Sequence, residues 1–177
     1  MESKPLLSHL DINRALERLA CEIIERHGDC ETLQLVGIER RGVDLARRIQ
    51  ALLEQKLGRS LPLSSLDINL YRDDWTSMDN VPAVGPSRML SKVDKASIIL
   101  VDDVLYTGRT IRSALEAIMD FGRPDRVELL VLVDRGRREL PIQPDYVGRA
   151  LSTAANERVD VFLAERDGKD EVVLSHN

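Results

Sequence analysis

Residues 97–111 read Ser-Ile-Ile-Leu-Val-Asp-Asp-Val-Leu-Tyr-Thr-Gly-Arg-Thr-Ile. The run Ile98–Val101 is short, apolar and β-branched, which predicts a buried strand. It stops at two acids, Asp102 and Asp103. A small hydroxyl-rich turn follows, Thr107-Gly108-Arg109-Thr110. Ile111, Ala114, Leu115, Ile118 and Met119 then recur at helical spacing, so a helix is expected from near Thr110. A strand, a turn and a helix N-terminus make an anion cradle. Unpaired backbone N–H groups and the positive end of the helix dipole face one point there. The acids beside it would repel an anion, so they suit a different partner: the hydroxyls of a ribose, or Mg²⁺. Hydroxyls next to a phosphate are the profile of a ribose 5-phosphate ligand. The other phosphate loops are absent, since no Gly-x-x-x-x-Gly-Lys-Ser/Thr occurs and no Gly-x-Gly-x-x-Gly follows a strand.

Working outward, Ile12, Leu16, Leu19, Ile23 and Ile24 mark a helix with Asp11 as its expected N-cap, ending near His27-Gly28. Leu33–Ile38 is a second buried strand. Val43–Leu57 is an amphipathic helix that stops at Gly58. Leu66, Ile68 and Leu70 alternate with Asp67 and Asn69, the pattern of a strand with one wet face. From Asp73 to about Ala96 turn residues dominate without a period, which predicts a flexible functional loop over about 73–95. Val127–Val133 is another strand, and Asp134–Arg149 is polar and Pro-rich. Val159–Leu163 and Glu171–Leu174 flank Asp167-Gly168-Lys169-Asp170 as a hairpin. Alternating strands and helices predict an α/β fold: a mostly parallel twisted sheet, helices on both faces, one domain over residues 1–177. Ligands then lie beyond the carboxyl ends of the strands.

The chain has 177 residues, 43% of them hydrophobic, enough for a full core, and a net charge of −5. That balance argues against a generic polyanion binder. Yet 20 of its 25 basic residues are Arg, the residue that grips phosphate or carboxylate in a two-pronged fork; a codon bias toward Arg explains the count equally well. Cys21 and Cys30 have no zinc spacing and form no disulfide framework. The N-terminus lacks a long apolar core and no stretch approaches spanning length, so neither a signal peptide nor a membrane partner is expected and the compartment is read as cytoplasmic. His9, His27 and His176 are scattered and support neither a metal site nor a triad.

The segment Ile98–Thr110, four apolar residues, two acids and Thr-Gly-Arg-Thr, resembles the phosphoribosyl pyrophosphate (PRPP) motif of type I phosphoribosyltransferases. The resemblance implies that family's fold with a small hood, and Mg²⁺ brought with PRPP rather than held by protein ligands alone. It implies that Val101, Asp102, Asp103, Val104, Leu105, Tyr106, Thr107, Gly108, Arg109 and Thr110 bind PRPP. It implies a pyrophosphate turn at Glu39, Arg40, Arg41 and Gly42, with a non-proline cis peptide expected between Arg40 and Arg41. Gly42 is expected to allow a backbone that other residues forbid. Asp102, Asp103, Arg40, Arg41, Tyr71 and Arg72 are the expected catalytic set, with Tyr71 and Arg72 opening a hood over PRPP.

Val133-Asp-Arg-Gly-Arg-Arg-Glu-Leu-Pro-Ile142, with Tyr71-Arg-Asp-Asp74, is similar to one subfamily: uracil phosphoribosyltransferases that also regulate pyrimidine operons by attenuation. This implies uracil contacts at Val133, Asp134 and Arg135, in a hood and base-binding region over about 133–150. It implies UMP and UTP as ligands, leader RNA as a partner, and a homodimer or homotetramer. An RNA surface would use Arg18, Arg137, Arg138 and Arg149. That surface departs from the subfamily's pattern, with Glu17 for Thr and Cys21 for His, and a carboxylate facing RNA phosphate is repulsive. Two alternatives stay open: mainly an RNA-binding attenuator that senses UMP or UTP, or a transferase for another nucleobase.

Overall fold

The computed structural model describes residues 4–69 and 87–176. Tyr71, Arg72 and most of the expected loop at 73–95 lie outside the described residues. Five parallel strands form the main sheet: β2 (Leu33–Ile38), β3 (Leu63–Leu66), β4 (Ser97–Leu105), β5 (Arg126–Asp134) and β6 (Tyr146–Ala150). Their order is β3-β2-β4-β5-β6.

Alternate residues of these strands feed two cores. Leu35, Ile99, Val101, Leu130 and Leu132 face α1 (His9–His27) and α2 (Arg41–Leu57). Val36, Leu100, Leu129 and Val131 face α3 (Arg109–Met119). Each fully buried Leu or Ile contributes about 1.5–3 kcal/mol, so this period-two pattern holds helices on both faces. A second sheet, the hood, is antiparallel: β1 (Lys4–Ser8), β8 (Glu171–His176) and β7 (Glu157–Phe162), with the one-turn α4 (Ala164–Asp167) between β7 and β8.

Several local expectations are corrected. Ser8, not Asp11, caps α1. Asp11 sits at the third helical position and closes a capping box with Ser8, satisfying two orphan groups at once. The strand expected around Leu66–Leu70 is Leu63–Leu66, because its parallel partner β2 ends at Ile38 opposite Leu66. β4 does not stop at the acids; it runs to Leu105 because β5 continues alongside, pairing Asp102 with Val131 and Val104 with Val133. Tyr146–Ala150, read as part of a polar loop, is the edge strand β6. The second sheet is built from both ends of the chain, and residues 146–150 belong to the main sheet.

Carboxylate–guanidinium pairs fasten the hood to α2. Arg48 binds Glu165 at 2.6 Å and Asp170 at 2.7 Å. Bonding to Arg48 draws the Asp170 carboxyl from 3.8 down to about 2. A depressed acid stabilises the fold above its ordinary value, and that stability is lost as pH falls through the folded value. Between pH 3.8 and about 2, amide exchange at Val172 and Val173 should therefore accelerate relative to Leu100 and Leu130. In Asp170→Asn that pH step should shrink, leaving the part owed to Glu165 and Asp167, whose carboxyls are also drawn down. Equal protection of both sheets across the range would rule out this fastening.

Candidate active site

The strand order reverses between β2 and β4, since the chain leaves β2 toward β3 on one side and returns to β4 on the other. At such a switch point two adjacent strand-end turns diverge and leave a crevice. Glu39–Gly42 follows β2, and Val104–Thr110 closes β4 and opens α3. Between them lies a cavity of about 790 Å³ lined by Glu39, Arg40, Arg41, Asp102, Asp103, Val104 and Thr110.

The first turn holds a cis peptide between Glu39 and Arg40, one residue before the bond expected at Arg40–Arg41. Gly42 is required for a different reason from the one expected. A Cβ there would lie 2.4 Å from the Val101 carbonyl oxygen. The constraint is the close approach of α2 to β4, not an unusual backbone angle.

Asp102 is buried, with 7% of its surface exposed. Its Oδ1 accepts from the Asp103 N–H at 2.9 Å, and Asp103 Oδ1 accepts from Val104 N–H at 2.8 Å. Burial raises the Asp102 carboxyl well above the carboxylate range, and the neighbouring Asp103 raises it further. Burial raises Asp103 too, against the Val104 N–H and the Arg41 charge. Such a pair gains when hydroxyl donors or a cation arrive.

The second turn is an anion cradle. Gly108 takes φ 93° as the N-cap of α3, a conformation that glycine adopts cheaply. The Arg109 N–H donates to Thr107 Oγ1 at 3.3 Å. The stretch after β5 braces this turn. Glu139 and Leu140 N–H donate to the Thr107 carbonyl at 2.9 and 3.1 Å. Arg138 Nη1 donates to the Tyr106 carbonyl at 3.1 Å, and Nη2 to Asp134 at 2.7 Å. The buried Arg135 guanidinium lies 3.9 Å over the Tyr106 ring.

Of the expected PRPP set, Glu39, Arg40, Arg41, Asp102, Asp103, Val104 and Thr110 line the cavity. Gly42, Val101 and Leu105 support it from buried positions, and Tyr106–Arg109 shape the cradle. Val133, Asp134 and Arg135 do not line the cavity. The Arg135 N–H donates to Leu105 O at 3.1 Å and the Asp134 carbonyl accepts from Leu151 N–H at 2.7 Å. Arg138, expected on the RNA surface, is held inward by the bonds above. Arg18 is likewise engaged, donating to the Val147 and Gly148 carbonyls at 3.0 and 2.8 Å. Arg137 and Arg149 are exposed.

Arg47, Ser65, Asp67, Asn69 and Arg88 also line the cavity and were not anticipated. Arg47 lies two helical turns after Arg40, so helical spacing from the Arg-Arg pair is the signal that finds it. The alternation around Leu66 and Ile68 puts Asp67 and Asn69 on the polar face. Arg88 had no local signal, because a lone bridge from Ser65 brings it there.

A phosphoribosyl transferase domain model matches residues 3–165. A bifunctional protein PyrR of Syntrophobacter fumaroxidans is 50% identical over 172 residues, covering 97% of this chain and 92% of that one. A bifunctional protein PyrR of Herpetosiphon aurantiacus is 50% identical over 175 residues, covering 98% of each. Among solved structures, a hypoxanthine phosphoribosyltransferase of Trypanosoma cruzi superposes with a TM-score of 0.74 at 14% identity, over 98% of this chain and 91% of that one. Likeness at that identity speaks for the fold alone. With the acid pair, the cradle and this extent of identity together, the chain belongs to the phosphoribosyl transferase family and, within it, to the PyrR proteins.

Proposed function

We propose that this chain transfers the phosphoribosyl group of PRPP to uracil, forming UMP and pyrophosphate, and also regulates pyrimidine genes through leader RNA. The observation that carries the transfer is the single cavity shared by the Arg40–Arg41 turn and the Asp102–Asp103 pair. In the reaction the C1′–O bond to pyrophosphate breaks, the C1′–N1 bond to uracil forms, and the uracil N1 proton passes to the departing pyrophosphate or to water. The cradle at Thr107–Thr110 holds the 5′-phosphate, and the acid pair accepts from the ribose hydroxyls. Arg40 and Arg41 meet the charge that grows on departing pyrophosphate, where a fixed cation lowers the barrier most. Asp103 offsets positive charge building on the ribose. Mg²⁺ takes one or two carboxylates alongside substrate phosphates, which the acid pair can offer; when bound with PRPP it neutralises phosphate charge. Uracil would sit beyond the end of β5 at Val133–Arg135, next to the cradle that Arg135 and Arg138 brace. Both cysteines are free, as suits a reducing cytoplasm, and no described helix is long and apolar enough to cross a membrane. The assembly is proposed as a homodimer or homotetramer.

A base panel with PRPP and Mg²⁺, read by pyrophosphate release, tests the substrate. Uracil should be turned over well above hypoxanthine or guanine. Release with the purines alone would move the chain to a purine branch.

Changing both Asp102 and Asp103 to Asn should cut turnover at least ~100-fold, as for loss of positioned electrostatic groups. The same change should raise Tm at pH 8. An acid whose folded pKa is raised contributes stability at low pH that is lost as pH rises through that pKa. Removing the pair removes the loss, so the Tm gap should close toward pH 3. Near-normal turnover, or a lower Tm at pH 8, would contradict these roles.

For RNA, the inward bonds of Arg138 leave Arg137 and Arg149 as the phosphate contacts, while the half-exposed Arg18 is shared between Glu22 and the Val147 and Gly148 carbonyls. Glu17 pairs with Lys56 at 3.3 Å, which tempers its repulsion. Filter binding of leader transcript at several salt concentrations should show Arg137→Gln and Arg149→Gln each lowering the log–log salt slope by nearly one unit. Uracil transfer should be unchanged. Slopes that stay at the wild-type value in both variants would exclude this surface.

A further inference from the structure

The pyrophosphate turn is gripped from outside the main sheet. Arg41, Asp44 and Arg48 recur on one face of α2, and each meets a residue of α4 or the start of β8. Arg41 donates Nε and Nη2 to the Asp167 carboxylate at 3.0–3.3 Å. Arg166 donates Nη2 to the Arg40 carbonyl oxygen at 3.2 Å, while its Nε pairs with the buried Asp44. Asp167 is itself fixed, accepting the Leu163 N–H at 2.8 Å.

Isolated exposed ion pairs add little, but a two-pronged, partly buried network is the exception. This one has a geometric consequence. Arg40 and Arg41 both line the cavity. Asp167 takes one edge of the Arg41 guanidinium, and no described residue takes its Nη1 amine. A guanidinium has five donors in a rigid plane, so holding one edge aims the other. A long side chain left unheld would lose its rotamer freedom only when the ligand arrives, at a cost in affinity.

Resting on the pyrophosphate role proposed above for this turn, we infer that Arg166 and Asp167 of the hood are positioning residues of the pyrophosphate subsite. Asp167 orients the Arg41 guanidinium, and Arg166 fixes the Arg40 carbonyl and so the backbone of the turn. The hood thereby acts on the leaving group without touching it. The Asp167 charge opposes an incoming anion only weakly, because Arg41, Arg166 and the Leu163 N–H already balance it.

The test is calorimetric titration of the full chain, with Mg²⁺, by inorganic pyrophosphate, by PRPP and by UMP, which lacks the leaving group. Asp167→Asn keeps the side-chain shape and an oxygen for the Leu163 N–H. It should weaken pyrophosphate and PRPP by about tenfold, the upper scale for re-ordering one freed side chain on binding. UMP affinity should stay within about twofold, because the cradle and the acid pair are untouched. In steady state KM for PRPP should rise while KM for uracil holds. Arg166→Lys keeps the charge but loses the fork that spans Asp44 and the Arg40 carbonyl, and should show the same split. Glu165→Gln, on the same turn but paired with Arg48, should show none of it. Unchanged or tighter pyrophosphate binding in both Asp167→Asn and Arg166→Lys overturns the inference. So does an equal loss for UMP, or the same loss in Glu165→Gln. A wild-type chain that binds neither PRPP nor pyrophosphate overturns the underlying reading instead, and the inference with it.

Discussion

The contact between Gly42 and the Val101 carbonyl governs the site. It lets the first turn of α2 rest on the end of β4 with no side chain between them. Two turns of opposite character are thereby held on either side of one cavity. One follows β2 and carries Arg40 and Arg41; the other follows the acid pair and opens a helix N-terminus. Parallel pairing of β2 with β4 sets their register, from Leu33 with Ser97 to Gly37 with Val101. A methyl group at residue 42 would force the turns apart, and the cavity would lose its shape before losing any functional side chain.

This proximity is what makes the acid pair tolerable. Two adjacent carboxylates in a buried place are unfavourable, as their raised pKa values record. The Arg41 charge and the backbone donors at residues 103 and 104 offset part of that cost. The remainder is stored where a ligand with hydroxyl donors or a cation can release it. Sites that bind charge commonly sacrifice stability in this way. The hood participates, since its ion pairs fix the same Arg41 that faces the acids.

Legibility in the sequence follows the range of the interaction. Asp102–Thr110 could be read directly, because strand, turn and helix are consecutive and each has a local signal. Leu33–Gly42 could be read as a strand-end turn with two Arg, but the position of its cis peptide could not, since the sequence marks the turn and not the bond. The capping of α1 fell to Ser8 because Ser8 and Asp11 satisfy each other, a reciprocal arrangement that an isolated N-cap assignment overlooks. β6 was hidden because Tyr-Val-Gly-Arg-Ala has no alternation and pairs with β5 on one side only. β1 was hidden because its partner, β8, is 170 residues away along the chain (Lys4 opposite Leu174). Arg88 and the grip of α4 on α2 depend wholly on tertiary contact, and no window of sequence contains them.

The arginine count also changes meaning once partners are known. A net charge of −5 with 20 Arg looks contradictory for a chain that must hold several phosphates. The contradiction goes when the arginines are sorted by what their guanidinium groups touch. Arg18, Arg135 and Arg138 bind backbone carbonyls of this chain. Arg48 and Arg166 bind its own carboxylates, and Arg41 binds one while keeping an edge for the cavity. These are rigid fasteners, a use for which a planar fork suits Arg better than Lys. Around the cavity stand Arg40 and Arg88 with Arg47, which also pairs with Asp44 at 3.4 Å, and Arg137 and Arg149 are exposed on the outside. The net charge of −5 then disfavours indiscriminate polyanion binding, and the guanidinium groups around the cavity concentrate attraction where a phosphate has a shaped place to go. Read this way, specificity for phosphate rests less on how many arginines the chain has than on how many its own fold has already engaged.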